Sequence, residues 1–334
     1  MTFQNRWKKI LTFMLSLGAI LFFVSCDNGG GGDSSPSLTY TGSQSKALID
    51  EYSAVDLATE SSQAGLRGTT FPGLSLSTPA WGYDSSHTFS LYNLSLSLRS
   101  AVISLGEHSP VVIEPDRSVA SEKVSIDGEC GGKLTGEFFT DDTTGEYWGD
   151  ISFQGYCVGG VTINGDITFS GSMNIDSGEI VSMFYHIDYL SCSDDYGAFN
   201  MAGTLSMSSR TSSASIRMDM YIQNGYSGDV FWLRDYQITV TEDALEVSMN
   251  ISGRFYHPDY GYVTLSTEQA IIAEASDMFP VSGVLIVVGE TGLEGGPTKA
   301  KLTFSGSDSF SVEADTNGNG VFDWDSGELF WNEI

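Results

Sequence analysis

The stretch Asp315 to Glu328, DTNGNGVFDWDSGE, places oxygen donors at a spacing suited to a hard cation. Calcium takes six to eight oxygens at once, so a chain that binds it must turn sharply while presenting donors inward. A loop of this type uses side-chain oxygens at relative positions 1, 3, 5, 9 and 12, a backbone carbonyl at 7 and glycine at 6. Counted from Asp315, Asn317 falls at 3, Asn319 at 5 and Gly320 at 6. Val321 offers its carbonyl at 7, apolar Phe322 at 8 would anchor the loop, and Asp323 falls at 9. Position 12 is Ser326 instead of a bidentate Glu. Asp325 comes one residue early and Glu328 two residues late, and either could be the closing ligand. The same residues would also serve as a plain polar Asn-Gly turn.

The DxNxNG core resembles the calcium loops of EF-hands, dockerins and thrombospondin type 3 repeats. The flanks depart from the EF-hand. Phe310-Ser311-Val312-Glu313 and Leu329-Phe330-Trp331 are strand-like, so no pair of helices can open. The expectation is a structural calcium clamp in a hairpin.

A second chemical site stands at the other end. Arg6, Lys8 and Lys9 precede a largely apolar, uncharged run, Ile10 to Val24, which ends at Ser25-Cys26. That is the layout of an export signal, too short for a comfortable membrane span. Phe23-Val24-Ser25-Cys26 resembles the lipobox of bacterial lipoproteins, with Phe23 where Leu is usual. The resemblance implies that Cys26 is diacylated, with palmitate-type chains, and becomes the new N-terminus. Asp27 to Ser37, DNGGGGDSSPS, has no large apolar residue and reads as a flexible tether. Two or more acyl chains give stable membrane anchoring. The expected location is therefore the cell envelope, facing periplasm or exterior.

An exported domain permits disulfides. Cys130 (GECGG) and Cys157 (GYCVGG) lie at the edges of two strands expected to be neighbours, and they are the expected bridge. Cys192 would be left over. The histidines His87, His108, His186 and His257 share no ligand spacing with these cysteines, so zinc and haem are not expected.

The chain has 334 residues, 15 basic and 43 acidic, for a net charge of −28. Loss of residues 1–25 removes three positive charges and no acid, and takes the value to −31. Such acidity excludes nucleic acid, which needs clustered Lys and Arg, and electrostatic docking on anionic lipid. It suits cations, and it also keeps an exported protein soluble. No GxSxG, HExxH or P-loop occurs. Tyr185 and Tyr189 share a strand phase and could line a sugar-binding face, although aromatic strand residues more often fill a core. His186 and His257 read as surface or satisfied residues.

These sites must be held by a β-rich frame. Ser53 can cap a short helix through Ala54–Glu60, stopped at Gly65, with residues 66–86 as loop. Phe89 to Leu105 fits both a strand and a helix, and its length favours the helix. From about Val124 the period is two. Val161, Ile163, Ile167 and Phe169 share one phase, as do Ala214, Ile216, Met218, Met220 and Ile222. So do Leu245, Val247, Met249, Ile251 and Phe255. Turn signals at Asp127-Gly128, Asp141-Asp142, Asn224-Gly225 and Thr241-Glu242-Asp243 predict antiparallel neighbours, and Asn-Gly predicts a tight type I′ hairpin. The fold class expected is mainly β: a large antiparallel meander, as barrel, half-barrel or sandwich, with one or two short N-terminal helices. Phe330 and Trp331 are expected to pack back onto the sheet. The segments are a signal (1–25), a tether (26–37), a helix and loop segment (38–118) and a β-rich domain (119–334) ending in the 315–328 loop.

Leu38–Ala58, Cys130–Gly171 and the acidic Asn-Gly tail also resemble a group of bacterial lipoproteins. The resemblance implies no active site. The expectation is a non-enzymatic, lipid-anchored binding or structural module with structural calcium and the membrane as partner. A barrel or half-barrel holding a hydrophobic ligand, and an envelope hydrolase on a β scaffold, are the alternatives.

Overall fold

The computed structural model describes residues 37–66, 91–108, 111–112, 123–141, 143–158, 160–193, 198–210, 213–242, 246–274, 279–306 and 308–331. The signal, nearly all of the tether, Cys26 and the loop expected over 66–86 apart from Leu66 lie outside them. Residues from Ser35 onward form one compact unit.

Among the described residues, two helices, α1 (Ala54–Leu66) and α2 (Leu91–His108), accompany one sheet. Its first strands are β1 (Val111–Val112), β2 (Val124–Asp127), β3 (Lys133–Asp141), β4 (Glu146–Val158) and β5 (Val161–Met173). Then come β6 (Ile180–Ser193), β7 (Ala198–Arg210), β8 (Ser213–Asn224), β9 (Val230–Glu242) and β10 (Glu246–His257). The last are β11 (Gly261–Glu274), β12 (Ser282–Thr291), β13 (Pro297–Ser305), β14 (Ser309–Asp315) and β15 (Trp324–Phe330). From β3 to β15 each strand pairs antiparallel with the next, while two-residue β1 lies parallel to β3 and β2 also pairs with β3. The order never returns on itself, so the sheet is an open meander and not a closed barrel.

Three hairpins share one device. Asp141, Asn174 and Asn224 each accept, on one side-chain oxygen, the N–H groups two and three residues on, at 2.8–3.3 Å. A Thr or Ser then accepts the N–H of the acid two residues later, and the Gly between them donates back to the Asx carbonyl. Asx side chains make this local bond readily, and Gly supplies the positive φ that closes the turn. Asn224-Gly225 therefore begins a five-residue loop, not the two-residue turn expected from Asn-Gly, because the Asn224 side chain captures Tyr226 and Ser227.

Alternation along the strands puts Ile163, Ile167, Phe169, Ile216, Met218, Met220, Met249 and Ile251 on one buried face. The large side chains of Tyr147, Tyr185, Tyr236, Phe255 and Phe310 fill that face. On α2, Leu98, Ala101, Val102 and Leu105 are buried at helical spacing. On α1, Ala54, Leu57, Ala58, Ser61 and Ser62 are buried, and the small Ala and Ser side chains let the helix lie close to the sheet. Tyr236 Oη donates to the Ser61 carbonyl at 2.8 Å and ties the two layers.

Some expectations change in detail. Gly65 lies within α1, which runs on to Leu66. The Ser53 hydroxyl does not cap that helix; it turns back to Asp50 Oδ1 at 2.9 Å and the Leu48 carbonyl at 3.2 Å. Asp50 organises the turn instead, accepting the N–H groups of Tyr52 and Ser53. Partial burial works against its ionisation, but the bonds from Ser53 and Tyr52 outweigh it and hold the carboxyl below the ordinary carboxylate range. Asp50→Ala is expected to cost about 1 kcal/mol at neutral pH in urea unfolding. With a depressed folded pKa, that contribution is present above the ordinary value near ~3.9 and is lost as pH falls through the folded one. The difference between wild type and variant should therefore narrow at low pH, to what the neutral carboxyl's hydrogen bonds retain.

A bulge at Asp188 offsets β6 from β5, so Tyr185 points into the core while Tyr189 stands opposite exposed Asp166. The two tyrosines thus occupy opposite faces and cannot share a sugar platform. Trp331 packs as expected, its ring 4.2 Å from Phe310, but Phe330 remains 37% exposed because it ends β15 in the outward phase.

Candidate metal centre

The loop between β14 and β15 is built around Asp315, which is 1% exposed. Its Oδ1 accepts the N–H groups of Gly318 (2.8 Å) and Asn319 (3.1 Å), and its Oδ2 that of Gly320 (2.8 Å). Asn317 Oδ1 accepts the Asn319 N–H at 3.0 Å, and Asn319 Oδ1 that of Val321 at 2.7 Å. Each side chain at positions 1, 3 and 5 thus folds the backbone ahead of it around the loop. Asp323 closes the ring from the other side, accepting the Thr316 N–H at 3.0 Å and the Asn317 side-chain amide at 2.9 Å. The bond from the Thr316 N–H keeps the Asp323 carboxyl below its ordinary range, with help from the Thr316 hydroxyl against slight desolvation.

The loop docks on the β12–β13 turn. Gly296 N–H donates to the Gly318 carbonyl at 3.0 Å, and Glu294 N–H to the Asn317 carbonyl at 2.9 Å. A side chain at Gly318 would place its Cβ 2.1 Å from the Gly296 oxygen, and φ there is +78°. Glycine is therefore demanded twice at this residue, by approach and by conformation. The half-buried Phe322 lies beneath the Lys301 ammonium, 5.4 Å from its ring centroid, and Lys301 pairs with Glu313.

Asp315, Asn317, Asn319, Val321 and Asp323 are thus brought together in one loop. Asp325 and Glu328 are not. Asp325 Oδ1 accepts the Gly327 N–H at 2.8 Å, and Glu328 sits opposite Ser311 while Trp324 sits opposite Ala314. At ~3.3 Å per strand residue, Glu328 lies roughly 10–13 Å along β15 from the loop. Ser326, at position 12, accepts the Val312 N–H at 2.9 Å and belongs to the strand ladder. Any ion here would take two carboxylates, amide and backbone oxygens, and water. Among the described residues, no three His, Cys, Asp or Glu side chains gather at one point.

Cys130 and Cys157, the pair expected to bridge, are joined, with Cα atoms 5.1 Å apart. Their backbones also meet, since Cys157 N–H donates to the Gly131 carbonyl at 3.0 Å. Cys192 is free and buried, and burial pushes its thiol pKa up. His257 is 6% exposed, with Nδ1 accepting the Asp259 N–H at 3.1 Å and Nε2 2.9 Å from Glu60. Tyr260 beside it donates to Asp56 at 2.9 Å; burial, then that bond, pushes its phenol up to about 12. This cluster fastens the β10–β11 hairpin to α1. Exposed His186 stands 3.2 Å from exposed Asp188.

The segment leading into α1 runs along the same end of the sheet as the 315–323 loop. Tyr40 Oη donates to the His257 carbonyl at 2.7 Å, Ala47 N–H to Tyr262 and Glu290 N–H to Ala47. No family model, curated protein or solved structure matches this chain.

Proposed function

We propose that this chain is a lipid-anchored cell-envelope protein, a non-enzymatic binding or structural module whose C-terminal hairpin is clamped by calcium. The observation that carries the calcium part is the loop frame, in which Asp315, Asn317 and Asn319 each fold the backbone ahead of them. Two carboxylates are few for a calcium site. The expected affinity is that of extracellular modules, on the order of 10⁻⁴–10⁻³ M, which suits a structural ion and not a sensor.

Cys26 and the tether support the anchor, and the Cys130–Cys157 bridge suits an oxidising compartment. The hydrophobic-ligand reading is disfavoured, because large side chains and α1 fill the inner face where such a ligand would sit.

The anchor is tested by expressing the full chain and its Cys26→Ser variant in a bacterial host fed labelled palmitate. Wild type should carry label and sediment with membranes, and the variant should lose the label. Equal labelling of both would remove Cys26 from the proposal.

A further inference from the structure

We propose that the solvent face of β4–β9 binds a neutral carbohydrate chain lying across the strands. The register places six outward side chains in one row: Trp148, Ser170, Phe184, Ser206, Arg217 and Gln237. Long and short residues alternate along most of it. The next row is hydroxyl-rich, running Ser172, Ser182, Ser208 and Ser215. A wet sheet face is usually covered by β-branched or long charged side chains. Serine is too short to cover it, so the taller residues stand as walls around an open trough of about 790 Å³.

The lining selects a ligand class. Trp148 and Phe184 are 37% and 44% exposed, and Phe139 stacks on Trp148 at 6.0 Å, which steadies the indole. Flat apolar faces suit the C–H faces of sugar rings. Serine hydroxyls both donate and accept, as sugar hydroxyls do. Gln237 Nε2 already donates to Ser215 at 3.2 Å, and the Ser172 and Ser182 hydroxyls meet at 2.7 Å, so each end of the floor carries one hydrogen-bonded pair. A hydrocarbon tail there would strip water from these groups and return no hydrogen bond. An anion is disfavoured as well, because Arg217 is paired with Asp235 at 2.7 Å. An extended peptide would seek a sheet edge, and this is the middle of the sheet. From Trp148 to Gln237 the row crosses five strand spacings, roughly 24 Å, which is room for several sugar units.

The inference deepens the reading of the chain as a binding module and depends on neither the ion nor the anchor. The test is native electrophoresis of residues 27–334 in gels containing xylan, glucomannan, hydroxyethylcellulose or laminarin. At least one polymer should retard the protein. Trp148→Ala with Phe184→Ala should weaken that retardation by about tenfold or more. Ser206→Arg, which fills the floor, should do the same, whereas Tyr52→Ala, an exposed aromatic far from the trough, should change nothing. Thermal melts of all variants should match wild type, since none of these side chains lies in the core. Unchanged mobility in all four gels would overturn the proposal, as would retardation that survives the double variant. Either result would leave Cys26 labelling and calcium-dependent stability untouched.

Discussion

Asp315→Ala should destabilise the folded chain by about 3 kcal/mol in urea unfolding with EDTA present, before any ion is considered. The buried carboxylate holds three backbone N–H groups. Hydrogen bonds to a charged group contribute roughly 1.5–3 kcal/mol each. Asn319 and Gly320 are exposed, so their amides can turn to water, whereas Gly318 is buried against the β12–β13 turn and cannot. The loss therefore falls well short of three full bonds. Asp315→Asn can keep the two bonds on Oδ1 but sets its NH2 against the exposed Gly320 N–H, which can turn to water, and should lose about half as much. Calcium separates the two roles of this residue. At 10 mM and a dissociation constant on the order of 10⁻⁴ M, wild type should gain about 2.7 kcal/mol. The Ala variant should gain nothing. A calcium gain of the same size in the variant would move the ion elsewhere, and no gain in wild type would leave the loop a hydrogen-bonded turn.

Reduction of the Cys130–Cys157 bridge should cost about 3.5 kcal/mol. The two cysteines are 27 residues apart, and in the chain-entropy model closing a loop of that size restricts the unfolded ensemble by this amount. The folded state should change little, because backbone hydrogen bonds already join residues 130–131 to Cys157. Urea unfolding with and without a reducing agent measures the difference. Cys130→Ser with Cys157→Ser should match the reduced protein and show no further response to reductant. Its persistence in the double variant would give Cys192 a partner, contrary to a thiol that burial keeps protonated.

Period-two alternation was sufficient to read the sheet, because a strand with one dry face and one wet face writes its geometry into every second residue. Ile163, Ile167 and Phe169, and Ile216, Met218 and Met220, are buried as that pattern requires. Antiparallel pairing followed from short connections. The hairpin device is also written in the sequence. Asp141 to Glu146, Asn174 to Glu179 and Asn224 to Asp229 all read Asx, two residues, Thr or Ser, Gly, acid. Tyr189 was misplaced because a bulge inserts one residue and inverts the alternation beyond it, and no local composition marks that insertion. Asp50 was missed for a related reason: two polar residues stand near the start of α1, and packing decides which one turns toward the backbone.

The loop between β14 and β15 divides in the same way. Residues 315–323 are legible because Asp315, Asn317 and Asn319 each act on backbone two to five residues ahead, and Asp323 reaches back only seven, so spacing alone carries the information. The exclusion of Asp325 and Glu328 is not local, since pairing of β14 with β15 draws both into the strand. Nor is the docking of Gly318 on Gly296, which joins residues far apart in the chain.

The sequence by itself determined most strand phases, the cysteine pair expected to bridge, the preference for helix in the segment Phe89–Leu105 and the six-residue core of the loop. All of these rest on contacts between near neighbours or on a repeating pattern. Tertiary structure decided that the sheet stays open, that α1 covers its inner face, and that Trp148, Phe184 and Arg217 surround a floor of serines. Those outcomes depend on how six or more strands twist and register together, and no single segment encodes them.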